Sequence, residues 1–327
     1  MRDNVWYRLC KRNATLESFS TYIGYKAILA LSNVLPRSWQ YAIAHVVADA
    51  HYLLDRPARE SVKANLRAIL PDAPEARIRE DARWVFRSFG MYLCEFFGYR
   101  RFGPAFIDAH VSVQGRQHLD AARALGRGAI LCSAHYSNWE LGATTVAHLG
   151  YPITAIVQMH PQPRIHELFV QQRAARGVQV FPSAHGAKAA LKALRRNGTV
   201  AMLGDRTTGG PVVAATLFGR RTLLPQGPWR IAYVSGAPIL PAFIHREFNN
   251  NYTLQFGAPI VPPAAAECER NAAMCGMAQA WAACLEARLR ANPCQWAAFR
   301  PFWDSTPPGP QLSTTLENAK ADSSSAG

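Results

Sequence analysis

Apolar and polar residues follow two different periods along this chain, and the change falls near residue 100. Before it, apolar residues recur every three or four positions, as in the segment 79–97, which is the spacing of a helix with one buried face. Beyond Val111, short apolar runs of strand length alternate with longer segments of helical spacing. The pattern therefore predicts a helical N-terminal region followed by an α/β unit.

Six short apolar runs in the second part of the chain have the length of buried strands. They are residues 129–133, 152–157, 179–181, 199–203, 239–244 and 252–256. Helical spacing between and after these runs predicts helices at 138–148, 163–176, 186–196, 226–235 and 265–291. Because strands that alternate with helices pair mainly in parallel, the predicted fold class is α/β, with a central mixed or largely parallel sheet flanked by helices.

Three regions are predicted: a helical, membrane-associating region at 1–100, the α/β domain at 101–304, and a disordered tail rich in Pro, Ser, Thr and Gly at 305–327. The apolar segment 22–35 is shorter than the ~20 residues that span a bilayer, and it carries Lys26. We expect it to be an interfacial or re-entrant anchor, with an ordinary amphipathic core helix as the alternative. Aromatic residues suited to the headgroup zone accompany it: Trp6, Tyr7, Tyr22, Tyr25, Trp39 and Tyr41.

The charge balance of the chain indicates an anionic partner. Its 36 Lys and Arg against 22 Asp and Glu give a formal net charge of +14, which favours anionic lipid headgroups, an acidic carrier protein or nucleic acid. Nucleic acid is set aside, because the basic residues form small scattered clusters without a recognition helix or an RNA-binding aromatic signature. The seven cysteines are odd in number and form no CxxC pair, which argues against a disulfide framework or a zinc site and indicates a reducing compartment.

The strongest candidate chemistry follows the run 129–134, where His135 is followed five residues later by Glu140. An imidazole can take a proton from a hydroxyl near neutral pH, and a neighbouring carboxylate can hold its tautomer. Residues five apart on a helix point about 140° apart, so the pair works together only if His135 precedes the helix and Glu140 lies in its first turn. Ser137 or Asn138 can cap a helix at that point. The pair predicts acyl transfer onto an alcohol, with His135 as general base and Glu140 orienting it.

A structural interpretation of the same residues stays open. Ser137 and Glu140 have the spacing of a capping box, in which each side chain satisfies a backbone donor of the other residue. An HxxxxE pattern also arises easily by chance. The substitution Glu140→Gln separates the two interpretations: a catalytic Glu140 predicts normal folding with most activity lost, whereas a cap predicts full activity. The sequence holds no GxSxG elbow, Walker-type phosphate loop or metal-binding set, and no cofactor or metal is expected.

Short motifs occur in a fixed order along residues 60–260. They are Asn65-Leu66 with Pro71, the segment 115–120, the block 126–140 that contains His135 and Glu140, the segment 173–177, the segment 194–205, Phe218-Gly219, Gly227-Pro228 and the segment 236–241. This order resembles the late lipid A biosynthesis acyltransferases of the lauroyl/myristoyl type, within the lysophospholipid-acyltransferase-like group. The resemblance implies O-acyl transfer from an acyl thioester, on acyl carrier protein or coenzyme A, to a hydroxyl of a lipid A-type glycolipid or related lipid.

The resemblance also assigns further site residues and a location. It implies that Arg173 and Asp205 support the site or contact the acceptor, and the structural alternative is a mutual ion pair between them or a helix-end charge for Arg173. Asn138 joins them, because backbone N–H groups near it are candidates for stabilising an oxyanion. The implied location is the cytoplasmic face of the cell inner membrane, where the protein is held peripherally or by an N-terminal anchor.

Two features depart from the family pattern and leave the acceptor open. Arg206 follows Asp205 in a stretch where a second acidic residue is usual, and the segment 292–303 differs from the usual ending. Two other classes of function are also weighed. One is a lipid-binding protein that keeps the fold without chemistry, and the other is a thioesterase-like hydrolase that uses water as its acceptor.

Overall fold

The structure, a computed structural model, describes residues 22–98, 101–207, 209–264 and 268–303. Its helices are α1 (22–34), α2 (Arg37–Leu54), α3 (Arg56–Ile69), α4 (Glu75–Phe97), α5 (Pro104–His110), α6 (Arg116–Ala124), α7 (Trp139–His148), α8 (Pro163–Ala174), α9 (Ser183–Arg195), α10 (Gly227–Ser235), α11 (Arg270–Ala291) and a 3₁₀ turn (Pro293–Gln295). Its strands are β1 (Val111–Gln114), β2 (Ala129–Ser133), β3 (Ile153–Val157), β4 (Val178–Pro182), β5 (Thr199–Leu203), β6 (Val212–Leu217), β7 (Arg220–Pro225), β8 (Ile239–Arg246) and β9 (Tyr252–Phe256).

Within these residues, seven strands form one sheet in the order β1-β9-β8-β2-β5-β3-β4. Strands β2, β3, β4, β5 and β8 run parallel, while β9 is antiparallel to β8 and parallel to β1. Strands β6 and β7 form a separate antiparallel hairpin. Helices flank the sheet, and the N-terminal region is helical. The predicted α/β class with a mixed, mainly parallel sheet is confirmed.

The central strand pair sets the position of the site. Ile130 of β2, Val200 of β5 and Ile239 of β8 are fully buried, as expected for parallel strands covered by helices on both faces. The β2–β5 register ends with Ser133 opposite Leu203. Because the two strands are parallel, the residues that follow them emerge at the same edge of the sheet, where ligands bind in open α/β folds.

Helices α2, α3 and α4 pack around an apolar cluster that includes Val62, Leu66 and Val85. The Asn65 side-chain amide ties this layer to the end of the described chain, donating to the carbonyl oxygens of Ala298 (2.9 Å) and Arg300 (2.8 Å). Over the part of the chain that the structure describes, no helix combines the length and apolar character needed to cross a bilayer. The predicted boundary at residue 100 stays a prediction, and the predicted tail 305–327 and the aromatic residues Trp6 and Tyr7 lie outside the described residues.

The structure adds three strands to those predicted. Strand β1 and the β6–β7 hairpin were not expected, because their partly exposed faces break the continuous apolar run that marks a buried strand. Phe218 and Gly219 form the hairpin turn with φ values of 52° and 70°, which suits the tight turn of a two-residue hairpin. The last long helix starts at Arg270 rather than near 265, with Glu269 capping it through the N–H groups of Asn271 and Ala272.

Candidate active site

His135 lies two residues beyond the end of β2, and its ring is held by Asp205, which lies two residues beyond the end of β5. The imidazole Nδ1 is 2.8 Å from Asp205 Oδ1, and the backbone N–H of His135 donates to Asp205 Oδ2 at 3.0 Å. Because an ionised carboxylate can only accept hydrogen bonds, we place the proton of the first bond on Nδ1. The other ring nitrogen, Nε2, then carries a lone pair that can accept a proton.

The carboxylate of Asp205 is buried, with 6% of the residue exposed. Trp296 donates its indole Nε1–H to Asp205 Oδ2 at 2.9 Å. Burial alone would raise the pKa of Asp205, but the charge and hydrogen bond of His135, together with the Trp296 bond, lower this pKa to about 2. Asp205 therefore stays ionised beside the imidazole, and its charge stabilises the imidazolium that forms when His135 takes up a proton.

The C-terminal segment completes this edge of the site. The backbone N–H of Ala297 donates to the His135 carbonyl at 2.8 Å, and Gln295 accepts from the N–H of Ser137 at 2.7 Å. Tyr136 and Trp296 form an isolated β-bridge between the two segments. Sequence reasoning did not find Trp296, because its contact with Asp205 joins residues 91 positions apart; the run of aromatic residues around it was the one available signal.

Glu140 has a different partner from the one predicted. Its carboxylate accepts two bonds from Arg173 Nε (3.0 Å to each oxygen) and a third from Arg173 NH2 (2.5 Å). The expectation that Glu140 orients His135 is therefore corrected: Asp205 bonds the imidazole. The physical reason is the β2–β5 register, which brings Asp205 to the ring, while Glu140, in the first turn of α7, faces the last turn of α8.

Arg173 is held from two sides. Its guanidinium carbon lies 5.7 Å from the ring centroids of both Phe96 and Phe169, in addition to the bonds that it donates to Glu140. It stands in the last turn of α8, where a cation is favoured by the helix dipole. The expected alternative of a mutual Arg173–Asp205 ion pair is wrong, since each of the two residues pairs with another group.

Asn138 is the N-cap of α7, and it is one of the two residues, Ser137 and Asn138, that were predicted as possible caps. Its side-chain oxygen accepts from the N–H of Leu141 (2.9 Å), and its amide nitrogen donates to buried Glu95 (2.6 Å). The Ser137–Glu140 capping box is wrong: Ser137 has φ of 52°, and its buried Oγ has no hydrogen-bond partner within the described structure. Asn138 is thus occupied in fixing the loop that leads from His135 into α7.

Glu95 connects this loop to the body of the protein. Only 1% exposed, it accepts hydrogen bonds from Tyr41 and Tyr252 as well as Asn138, and it lies 2.7 Å from a guanidinium nitrogen of Arg246. A buried carboxylate is stable only when it is paired and hydrogen-bonded in this way. Nothing in the sequence pattern singled out Glu95, because its partners come from four distant parts of the chain.

A cavity of about 1190 Å³ opens beside these residues. His135, Glu140 and Arg173 line it near the carboxyl edge of the sheet. Part of its wall is formed by buried, mostly apolar residues of the sheet and α7: Leu131, Gly142, Val146, Ile153, Ala242, Ile244 and Leu254. The imidazole thus borders a space with both polar and apolar walls, which suits a substrate that has a polar reacting end and a hydrocarbon chain.

The described residues do not include a group of three or more His, Cys, Asp or Glu side chains arranged to hold a metal ion. At the candidate site, His135 and Asp205 are residue types that can bind a metal, but the Nδ1 atom of His135 is already hydrogen-bonded to Asp205. The site combines a proton acceptor (His135), an ionised partner (Asp205) and a cavity with a partly apolar wall. This combination suits transfer of an acyl group between oxygen or sulfur nucleophiles.

The chain was compared with known proteins. It is similar to phosphatidylinositol mannoside acyltransferase of Mycobacterium tuberculosis (strain ATCC 25618 / H37Rv), with 24% identity over 261 residues that cover 78% of this chain and 80% of the relative. Similarity to the phosphatidylinositol mannoside acyltransferase of Mycolicibacterium smegmatis reaches 24% identity over 289 residues, or 86% of this chain and 91% of the relative. Residues 10–305 match the family described as bacterial lipid A biosynthesis acyltransferase. The chain therefore belongs to this acyltransferase family.

Proposed function

We propose that the protein is a membrane-associated O-acyltransferase that moves a fatty acyl chain from an acyl thioester to a hydroxyl of a glycolipid, with His135 as general base. The observation that carries this proposal is the 2.8 Å contact between His135 Nδ1 and the ionised carboxylate of Asp205. That contact commits one ring nitrogen and leaves Nε2 to take the proton, at the wall of a cavity large enough for a lipid chain.

In the proposed reaction, Nε2 of His135 removes the proton of the acceptor hydroxyl as its oxygen attacks the thioester carbonyl carbon. A carbon–oxygen bond forms, and the carbonyl becomes a tetrahedral oxyanion. When the intermediate collapses, the carbon–sulfur bond breaks, and the leaving thiolate takes the proton from the imidazolium. Asp205 stays ionised throughout and stabilises the charged ring.

The start of α7 is proposed to support the oxyanion. Backbone N–H groups near Asn138 belong to the first turn of a helix, where unpaired donors and the positive end of the dipole favour negative charge. The Asn138 side chain itself fixes the loop through Leu141 and Glu95. In this proposal Glu140 and Arg173 hold α7 against α8 at the cavity wall.

The apolar part of the cavity wall is proposed to contact the acyl chain. Gly142 of α7 makes room there: a Cβ added to it would lie 3.4 Å from Ile244 and 3.7 Å from Leu254. Val146 lies one helical turn further along the same helix and belongs to the same apolar part of the wall. Each buried methylene of an acyl chain contributes about 0.8 kcal/mol, so a long chain would supply much of the binding energy of the donor.

The comparisons support the choice of substrates. The relatives are named for acylation of phosphatidylinositol mannoside, and the family for lipid A biosynthesis. These two acceptors share a sugar hydroxyl on an anionic lipid, and we propose an acceptor of this class. The donor is proposed to be acyl carrier protein or coenzyme A bearing the acyl chain as a thioester, and the net charge of +14 favours either of these anionic partners.

Association with the membrane is proposed to use α1 and α2. These two helices expose large apolar side chains: Ile23, Leu31, Val34, Trp39, Ile43, Val46, Val47, Leu53 and Leu54. An exposed apolar surface of this extent is typical of a membrane or protein contact. Tyr25 of α1 also lines the cavity, so helix α1 contributes both to the exposed apolar side chains and to the cavity wall. The cytoplasmic face of the inner membrane is the proposed location.

The proposed function is tested by product analysis. Purified protein is incubated with acyl carrier protein or coenzyme A thioesters and labelled glycolipid acceptors, and the products are separated. Acylated lipid supports the proposal; free fatty acid alone indicates a thioesterase, and no turnover with any pair indicates a lipid-binding protein. His135→Ala is expected to lower kcat by about 10²–10⁴. His148→Ala, an exposed histidine at the other end of α7, is the matched control and is expected to retain activity.

A further inference from the structure

The wall of the cavity carries an excess of positive charge. Among the described residues that line it, Glu140 is the one carboxylate, whereas four arginines are present: Arg173, Arg206, Arg230 and Arg300. Three hydrogen bonds from Arg173 already neutralise Glu140. The other three arginines line the same cavity, where no further lining carboxylate is present; the charge of Arg206 also contributes to the lowered pKa of Asp205, which lies next to it in sequence.

These three arginines come from separate parts of the chain. Arg206 lies in the loop after β5, Arg230 in α10, and Arg300 after the 3₁₀ turn, and all three are exposed. Within the described ranges, no carboxylate lies within 4.0 Å of their side-chain nitrogens, although other exposed arginines, such as Arg67 with Glu75, do form ion pairs. Like charges gathered without counter-charges repel one another, so their arrangement around one cavity favours an anionic ligand.

One of these arginines, Arg206, is connected to the reacting centre through the C-terminal segment. Arg206 is next in sequence to Asp205, and its guanidinium donates to the carbonyl of Ala297 at 3.1 Å. The N–H of Ala297 donates in turn to the carbonyl of His135 at 2.8 Å. A single residue of the C-terminal segment therefore links the first arginine to the general base, and Arg300 follows three residues later on the same segment.

We infer that Arg206, Arg230 and Arg300 form a subsite for a phosphate group of the substrate. Guanidinium groups bind phosphate oxygens by charge-assisted, often bidentate, hydrogen bonds, and several arginines converging on one space are typical of phosphate recognition. The inference rests on the proposed function and extends it from the reacting atoms to the recognition of the substrate. The phosphate belongs either to the pantetheine arm of the donor or to the acceptor lipid, and the experiment separates these two sources.

The experiment substitutes each arginine by glutamine, singly and together. Arg195→Gln is the matched control, because it removes one exposed positive charge at the end of α9, near the start of β5 and thus at the opposite edge of the sheet from Arg206. The donor series carries one acyl chain on phosphopantetheine and on pantetheine, which lacks the phosphate. The acceptor series compares a phosphatidylinositol-based glycolipid with a diacylglycerol glycolipid that bears the same sugar.

A donor subsite predicts that each substitution raises KM for the phosphopantetheine thioester about three- to tenfold, leaves KM for the pantetheine thioester unchanged, and alters kcat little. An acceptor subsite predicts the same selective rise for the phosphate-bearing lipid alone. Either selective pattern supports the inference. It is overturned if KM rises equally with and without phosphate, if no KM changes, or if Arg195→Gln has the same effect as the other substitutions.

A binding measurement separates this inference from the proposed reaction. Calorimetry follows the binding of phosphopantetheine, pantetheine and glycerophosphoinositol to the wild type and to the triple glutamine variant, without turnover. Tighter binding of either phosphate ligand to the wild type than to the variant supports the subsite even if no acyl transfer is observed. Equal binding of all ligands to both proteins contradicts the subsite even if the wild type transfers acyl chains.

Discussion

Asp205 and Glu140 are both buried carboxylates at one edge of the sheet, yet they hold different cations. Asp205 receives the imidazole of His135 and the indole N–H of Trp296, whereas Glu140 is gripped by the guanidinium of Arg173. An imidazole exchanges its proton in the physiological range, but a guanidinium stays charged at all such pH values. The imidazole of the first pair can therefore take up and release a proton while Asp205 stays ionised. The second pair keeps both of its charges and can only hold its two helices in position.

The comparison also shows what spacing in a sequence can and cannot tell. Glu140 lies five residues from His135 and is the obvious partner on paper, while Asp205 lies 70 residues away. The parallel β2–β5 register overrides that separation, because it delivers the residues after both strands to one place. The carboxylate of Glu140, which is nearer in sequence, pairs instead with Arg173 of α8.

The largest expected effect is on turnover when Asp205 is changed. Asp205→Asn is expected to lower kcat by about 10²–10⁴, because a neutral amide neither fixes the proton on Nδ1 nor stabilises the imidazolium. Steady-state kinetics with a saturating donor measure it, and circular dichroism checks the fold. If Asp205→Asn turns over like the wild type, the two carboxylates have been assigned the wrong tasks.

Glu140→Gln comes next, with an expected tenfold or greater loss of activity and a free energy of unfolding lower by about 2 kcal/mol. The loss of stability arises because Arg173 is left without a full counter-charge in a mostly buried position. Chemical denaturation and kinetics measure the two quantities. The double variant Glu140→Met with Arg173→Met is the control, and it should regain part of the stability. A larger kcat loss in Glu140→Gln than in Asp205→Asn would reverse the comparison.

The contribution of the ionised Asp205 to stability can be measured by lowering the pH. Its pKa is about 2 in the folded protein and near 3.8 when unfolded, so the carboxylate stabilises the fold above about pH 4 and loses this contribution as the pH falls towards 2. The difference in unfolding free energy between the wild type and Asp205→Asn should therefore shrink by about 2 kcal/mol between pH 6 and pH 2. Asp72→Asn, at an exposed position, is the control. A pH-independent difference would show that Asp205 is not held ionised by His135.

The smallest expected effect is that of Trp296→Phe, which keeps an aromatic ring but removes the indole N–H that bonds Asp205 and part of the side-chain volume at a buried position. We expect the free energy of unfolding to fall by about 1 kcal/mol and activity to fall severalfold, since the bond from the His135 ring remains. Thermal unfolding and kinetics measure both changes. A Trp296→Phe variant as inactive as Asp205→Asn would mean that the indole, rather than the imidazole, governs the carboxylate.

Much of the fold could be predicted from local pattern. The strands β2, β5 and β9 were predicted at their observed bounds, because strands of a sheet covered on both faces leave short, mainly apolar runs between turn residues. Helix α10 was placed within one residue of its start. The hairpin β6–β7 and strand β1 escaped, since half-exposed strands carry a weaker signal. His135 and Asn138 could be predicted as site residues because both lie at the junction between a buried strand and the helix that follows it, which is visible in the local sequence.

The sequence by itself determined the α/β class, the position of His135 after a buried strand and the start of a helix near Ser137 and Asn138, because each of these depends on neighbours along the chain. That Asn138 rather than Ser137 is the cap was decided by the structure. Only the tertiary structure decided that Asp205 holds the imidazole, that Glu140 holds Arg173, and that Trp296 and Glu95 support the site. These contacts join residues between 33 and 91 positions apart. Their geometry is set by strand register and helix packing, which no short segment of sequence contains.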